Sequence, residues 1–221
     1  MIALEKGEKP EILVNKEEQW LSQLTVALSK GSPIPNTIQN RYRHLDIKVG
    51  LLKETNNKCA YCESKVLHID HGDIEHIEPK SLVPSKTFDW FNLTIACRKC
   101  NQNKAQYYNT NLPLLNPYTD KTEEEIIFCG PLPFPKPGSS KAKITIKKLQ
   151  LDRVDLIEKR IELLNQIQPL LDCYENEQDA ELKKLLLQDI QSYKEKNKEF
   201  SSMVTFFLKQ FNLTYDNSQS A

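Results

Sequence analysis

Two cysteine pairs, Cys59/Cys62 and Cys97/Cys100, bracket the run Asp73-Ile74-Glu75-His76-Ile77-Glu78-Pro79, and Asn101 follows the second pair directly. Each Cys-x-x-Cys knuckle offers two thiolates to one ion. Two knuckles complete the tetrahedral four-thiolate set that zinc prefers. Unrelated core cysteines would not need this paired spacing, so Cys59, Cys62, Cys97 and Cys100 are expected to bind a structural Zn2+. The pairs lie further apart than in a simple zinc ribbon, because the acid–histidine run and a proline-bearing loop separate them. The zinc is therefore expected to clamp the two ends of a catalytic insertion. A four-thiolate site contributes on the order of 10–16 kcal/mol to a unit too small to be rigid alone.

Within that frame Glu75-His76 is the pair with catalytic potential. A histidine near its ordinary pKa takes a proton from water, and a neighbouring carboxylate holds a hard divalent cation. Adjacent strand residues face opposite sides, so the two serve one site only at a strand end, and Pro79 gives the strand a reason to stop nearby. Asp73 shares a side with Glu75, so either carboxylate could carry the cation. An isolated acid–histidine pair is usually a surface feature; Asn92, Asn101 and the zinc frame favour a catalytic one. Lys104, one helical turn past Asn101, and Arg98 are candidates for contacts to substrate phosphates. For Arg98 and Lys99 a solvated surface role has equal weight.

The elements that must position these residues read as α+β, with a ββα-metal core and a four-cysteine zinc site embedded in N- and C-terminal helices. Residues 1–57 form a helical segment: one helix carries Trp20, Leu21, Leu24, Ala27 and Leu28. A second, capped by Asn36, buries Ile38, Tyr42, Leu45, Val49 and Leu52, with His44 given no special role. Residues 58–110 are the core. Strands at Val66–Ile69 and Gly72–Ile77 flank a turn at His71-Gly72, with His68 and His71 exposed. A strand at Leu93–Ala96 and a short helix at Asn101–Tyr107 complete it. Residues 111–150 form a proline-rich connector with strands at Ile126–Phe128 and Ile144–Ile146. Residues 151–221 are helical, with stripes at Val154, Ile157, Ile161, Leu164 and Leu171, at Leu182, Leu185, Leu186 and Ile190, and at Met203, Phe206, Phe207 and Phe211. Asp216–Ala221 are expected to fray.

The 30 basic and 30 acidic residues cancel, which argues against a broad basic surface for nucleic acid. Any such contact must be local or helped by a partner. No apolar run approaches the roughly 20 residues of a membrane span, and Met1–Pro10 shows no signal-peptide h-region. With four of six cysteines in knuckles, reduced thiols and a cytoplasmic location are expected.

His76, Asn92 and Asn101, framed by the cysteine pairs and followed by Lys104, resemble the HNH endonuclease motif in its His-Asn-Asn form. The resemblance implies that His76 is the general base, that Asn92 orients the histidine-bearing loop, and that Glu75 and Asn101 bind one catalytic Mg2+ or Mn2+. The family more often has Asp where this chain has Glu75. Cys59-Ala-Tyr-Cys-Glu63, Ile74–Lys80, Trp90–Leu93, Ala96–Asn101, Leu114–Pro117 and Leu149–Arg153 are further similar to the PtuB group, the HNH proteins of Septu anti-phage systems that also occur beside retrons. That likeness implies a nuclease effector acting on DNA, or on RNA such as tRNA, under control of an ABC-type, PtuA-like ATPase partner. The competing reading is a zinc-organised nucleic-acid-binding or scaffold module with no catalytic activity.

Overall fold

The computed structural model describes residues 1–31, 33–66 and 72–213. The expected strand at Val66–Ile69, apart from Val66 itself, the expectations for His68 and His71, and the tail Asp216–Ala221 lie outside the described residues.

Helix α1 spans Glu11–Ser29 and buries Leu13 and Leu24. The expected second helix is instead three pieces: α2 (Asn36–Gln39), a 3-10 turn (Arg41–Arg43) and α3 (Leu45–Glu54). The break falls at His44, whose extended backbone interrupts the helix and whose Nδ1 accepts from the Asp46 N–H at 3.3 Å, capping α3. Restarting there rotates the buried face: Ile47 and Leu51 are fully buried, whereas Leu45 and Val49 are 70% and 56% exposed. An uninterrupted helical period carried across residues 36–57 mispredicted both.

Strands β1 (Asp73–His76) and β2 (Leu93–Ala96) pair antiparallel, with Glu75 opposite Thr94 and His76 opposite Leu93. Helix α4 (Arg98–Lys104) follows at once. It begins and ends three residues before the expected Asn101–Tyr107, because Cys97 already serves as its N-cap and Ala105, at φ +49°, turns the chain out of the helix. The β1–β2–α4 unit is the ββα core.

The connector holds α5 (Thr122–Glu125) and a hairpin of β3 (Ile126–Cys129) with β4 (Leu132–Pro135), turning at Gly130, whose φ of +54° suits glycine. The expected strand at Ile144–Ile146 is part of α6 (Ser140–Leu149). Ser139 caps it by accepting from the Ala142 N–H, and Ala142, Thr145, Ile146 and Leu149 bury one helical face. That 3.6-residue period outweighs the strand preference of the short β-branched run. Helices α7 (Val154–Asn176), α8 (Ala180–Ser192) and α9 (Ser201–Lys209) complete the chain. The buried face of α7 is Leu156, Arg160, Ile167 and Leu171 rather than Val154 and Ile161, and α8 exposes Leu182 and Leu185 while burying Ile190. On α9 Met203 is buried as expected.

One apolar cluster joins Leu13, Ile47 and Leu51, Trp90, Leu93 and Ile95 of the ββα unit, and Leu149, Met203 and Val204. The small sheet is thus backed by helices from both ends of the sequence. Among the described residues no helix is long and apolar enough to cross a membrane.

Candidate active site

The first knuckle turns tightly because Glu63 takes φ +66° and the Glu63 N–H returns to the Cys59 carbonyl at 3.0 Å. The Ala60 N–H donates to the Ile95 carbonyl at 2.9 Å, laying this knuckle along β2. The second knuckle is the start of α4. The four Sγ atoms lie within 4.8 Å of one another, and Cys62 and Cys97 sulfurs are 3.8 Å apart. Tetrahedral Zn–S bonds of about 2.3 Å place sulfurs about 3.8 Å apart, so the cluster matches the donor set and spacing of a structural zinc site. The Arg153 guanidinium lies 3.6 Å from Cys100 Sγ, a cation set against the negative charge that four thiolates would carry.

Strand β1 ends at His76, and both Glu75 and His76 line one open cleft of about 310 Å3 together with Asp73, Asn101 and Lys104. The strand end thus solves the alternation problem. The His76 ring is 6% exposed and its Nε2 lies 2.9 Å from the Thr87 carbonyl. A carbonyl only accepts, so Nε2 carries the proton and Nδ1 keeps a free lone pair. Tyr42 braces the ring edge-on at a centroid separation of 4.6 Å. Burial, with help from Lys80 and Lys104, lowers the imidazole pKa to about 4 against the Thr87 hydrogen bond. The ring is therefore neutral at neutral pH.

Asn92 sits in a 3-10 turn at the start of β2, and its side chain is wholly engaged. Its Oδ1 accepts from the Glu78 N–H at 2.8 Å, and its Nδ2 donates to the Glu78 and Lys86 carbonyls, each at 3.0 Å. These bonds close the loop that runs from His76 to Thr87, the residue that fixes the imidazole.

The acidic groups divide. Glu75 is buried and pairs with Lys104 Nζ at 2.6 Å; the same Nζ donates to the His76 carbonyl at 2.8 Å. Burial raises the Glu75 pKa, and Lys104 opposes the rise. Asp73 instead meets Asn101, whose Nδ2 donates to Asp73 Oδ2 at 2.9 Å. Lys104, expected from the sequence to contact phosphate, is 2% exposed and acts here as the counter-charge of Glu75. Arg98 is exposed on α4 and does not line the cleft, and Lys99 pairs with Asp155 at 3.0 Å.

Four contributors escaped the sequence reading: Tyr42, Arg43, Lys80 and the Thr87 carbonyl. Arg43 and Lys80 line the cleft and both donate to Tyr42 Oη, at 3.2 and 3.1 Å. Lys80 lies four residues beyond His76 and could have been suspected. Tyr42 reads as one more apolar position of a helix, and a backbone carbonyl leaves no mark in sequence.

Residues 59–106 match the HNH endonuclease family, whose span coincides with the two knuckles, β1, β2 and α4. The chain is similar to Septu protein PtuB of Bacillus thuringiensis, at 28% identity over 80% of this chain and 66% of that protein. It is similar at the same identity to Septu protein PtuB of Bacillus mycoides (strain KBAB4), over 58% of this chain and 54% of that protein. The chain therefore spans just under two thirds of the first relative and about half of the second.

Proposed function

Taking the HNH endonuclease domain of residues 59–106 as the premise, we propose that the chain hydrolyses phosphodiester bonds of nucleic acid. Its setting is a Septu-type anti-phage system, in which an ABC-type ATPase controls it. The observation that carries the reading is the His76 tautomer: a buried imidazole with Nε2–H spent on Thr87 and Nδ1 free, in a cleft shared with Asp73 and Asn101.

Nδ1 of His76 accepts the proton of a water, whose oxygen attacks phosphorus while the bond to the leaving sugar oxygen breaks. A base with a pKa near 4 is weak in the empty cleft, but an arriving phosphate monoanion favours the imidazolium and raises it toward the working pH. Asn92 keeps the imidazole in register by closing the loop behind it. Arg43 and Lys80 draw the phosphate backbone to the cleft. The oxygen donors fit a hard divalent cation: the Asp73 carboxylate and the Asn101 carboxamide adjoin, while Glu75 is already matched by Lys104. Asp73 and Asn101 would hold Mg2+ or Mn2+, with Glu75 behind them. When bound, that cation supplies charge neutralisation at the scissile phosphate and leaving oxygen. DNA is the default substrate class, and RNA such as tRNA the other. The net charge of zero suits a nuclease that borrows its grip on nucleic acid from a partner.

The test is His76→Ala beside the unaltered chain, each with and without a Septu-type ATPase, on plasmid DNA and tRNA with Mg2+ and ATP. Zinc content and cooperative unfolding are expected to be retained, at a lower melting temperature, while cleavage falls by roughly 10²-fold or more. Cleavage that survives in the variant removes His76 from the mechanism. An unaltered chain that cuts neither substrate leaves the scaffold reading in place.

A further inference from the structure

A second cavity of about 310 Å3 borders Lys104. Lys104 is a wall of both this cavity and the His76 cleft, and Glu78 on the rim of the second is two residues past His76. Its remaining character comes from Tyr61, Tyr107, Tyr108, Asn109 and Asn116. We propose that this cavity receives the base of an unpaired nucleotide next to the scissile phosphate. The inference rests on the nuclease reading above and sharpens it to a substrate class: strands with a nucleotide out of the helical stack.

Three observations support it. Tyr61 is 2% exposed, and its hydroxyl has no hydrogen-bond partner in the protein. A buried polar group left in that state is uncommon and costly, and a ligand atom reached by a small shift of the ring would relieve it. Tyr108 keeps 41% of its surface exposed, yet its hydroxyl donates to Glu78 Oε2 at 3.1 Å. An aromatic face presented to solvent and pinned at its far end is a preformed stacking platform, and every base has a face to stack. Finally, Asn109 Oδ1 accepts from the Asn111 and Leu112 N–H groups, and Asn116 Oδ1 accepts from the Tyr118 N–H. With their oxygens engaged, both carboxamides offer NH2 donors, which suit the ring nitrogens and carbonyl oxygens of a base. A base inside a continuous duplex cannot enter such a cavity, so the nucleotide must be unpaired or flipped.

The assay is fluorescence anisotropy of a labelled single-stranded oligonucleotide with the 221-residue chain carrying His76→Ala, at low ionic strength and without Mg2+. A matched oligonucleotide with abasic positions provides the backbone alone. The intact strand is expected to bind on the order of tenfold more tightly than the abasic one. Tyr108→Leu should erase that ratio without changing abasic binding. Tyr61→Phe should lower the ratio while leaving thermal stability equal or higher, because the orphan hydroxyl is gone. Equal affinity for intact and abasic strands, or a ratio insensitive to both variants, overturns the base pocket even if plasmid or tRNA cleavage is intact. A preserved ratio in a chain that never cleaves would remove the nuclease reading and keep the pocket. Failure to bind either strand counts against both.

Discussion

Replacing Lys104 with methionine keeps an apolar stem reaching as far as the lysine Cε and deletes the ammonium group. In the native structure that charge meets Glu75 at 2.6 Å and the His76 carbonyl at 2.8 Å, with the two side chains 2% and 8% exposed, so solvent screens the pair little. Removing one member of a buried pair costs about 3–5 kcal/mol. Losing the bond to His76 O lies within that range rather than on top of it, because the same ammonium made both contacts. Glu75 can limit the loss by taking up a proton, since burial already raises its pKa. A raised folded-state carboxyl pKa gives stability that is present at low pH and lost as pH rises through it. The deficit of Lys104→Met should therefore be about 3–4 kcal/mol at pH 7 and should shrink as the pH approaches the ordinary carboxylate range. Adding Glu75→Gln should restore part of it. Urea unfolding of the zinc-loaded chain at two pH values, followed by circular dichroism, measures this directly. A deficit below about 1 kcal/mol at pH 7, the scale of an exposed pair, would refute the reasoning. So would a Glu75→Gln change whose cost simply adds.

Cys97→Ser should lose zinc and, with it, cooperative unfolding of the ββα unit, since ion binding supplies on the order of 10–16 kcal/mol at such sites; a metal-free variant that melts like the parent removes the zinc frame. In Mg2+-free protein, His76 has a folded pKa of about 4 against the ordinary imidazole value of 6.5. The unfolded chain therefore binds more protons across that window. Stability from this group is complete above pH 6.5 and declines as pH falls toward 4, by about 2 kcal/mol between pH 7 and pH 5. His76→Gln should remove that component, and parallel urea midpoints for the two proteins at both pH values would contradict it.

Legibility in the sequence followed how local the cause was. Cys59, Cys62, Cys97 and Cys100 announce a shared ion through their spacing, and their sulfurs do converge. Asn92 and His76 were identified as candidates, and both fall on the wall or frame of one cleft. The burial of Lys104 was not legible, because a lysine one turn past Asn101 reads as solvent-facing until the opposing Glu75 is seen to be buried with it. Ile144–Ile146 was misread because three β-branched residues dominate a short window, whereas the cap at Ser139 and burial of Ala142 and Leu149 set a longer period. Leu45 and Val49 failed for a related reason: one extended residue at His44 resets the phase of every position after it. Arg153 belongs to the fold of a distant segment, and nothing local to it pointed toward Cys100.

Helix α4 is seven residues long, so it rises only about 10 Å. Along that length Cys100 faces the sulfur cluster, Asn101 meets Asp73, and Lys104 holds Glu75 and the His76 carbonyl. The metal frame and the cleft consequently have no seam between them where one could be exchanged for a homologous part. A chimera that borrows the second knuckle from another HNH domain must take the helix, and with the helix it inherits the partners chosen for β1. Recombination points that respect this chemistry lie before Cys59 and after Ala105. An engineer seeking to retune the cleft would therefore have to transplant the whole interval between them as a single cassette.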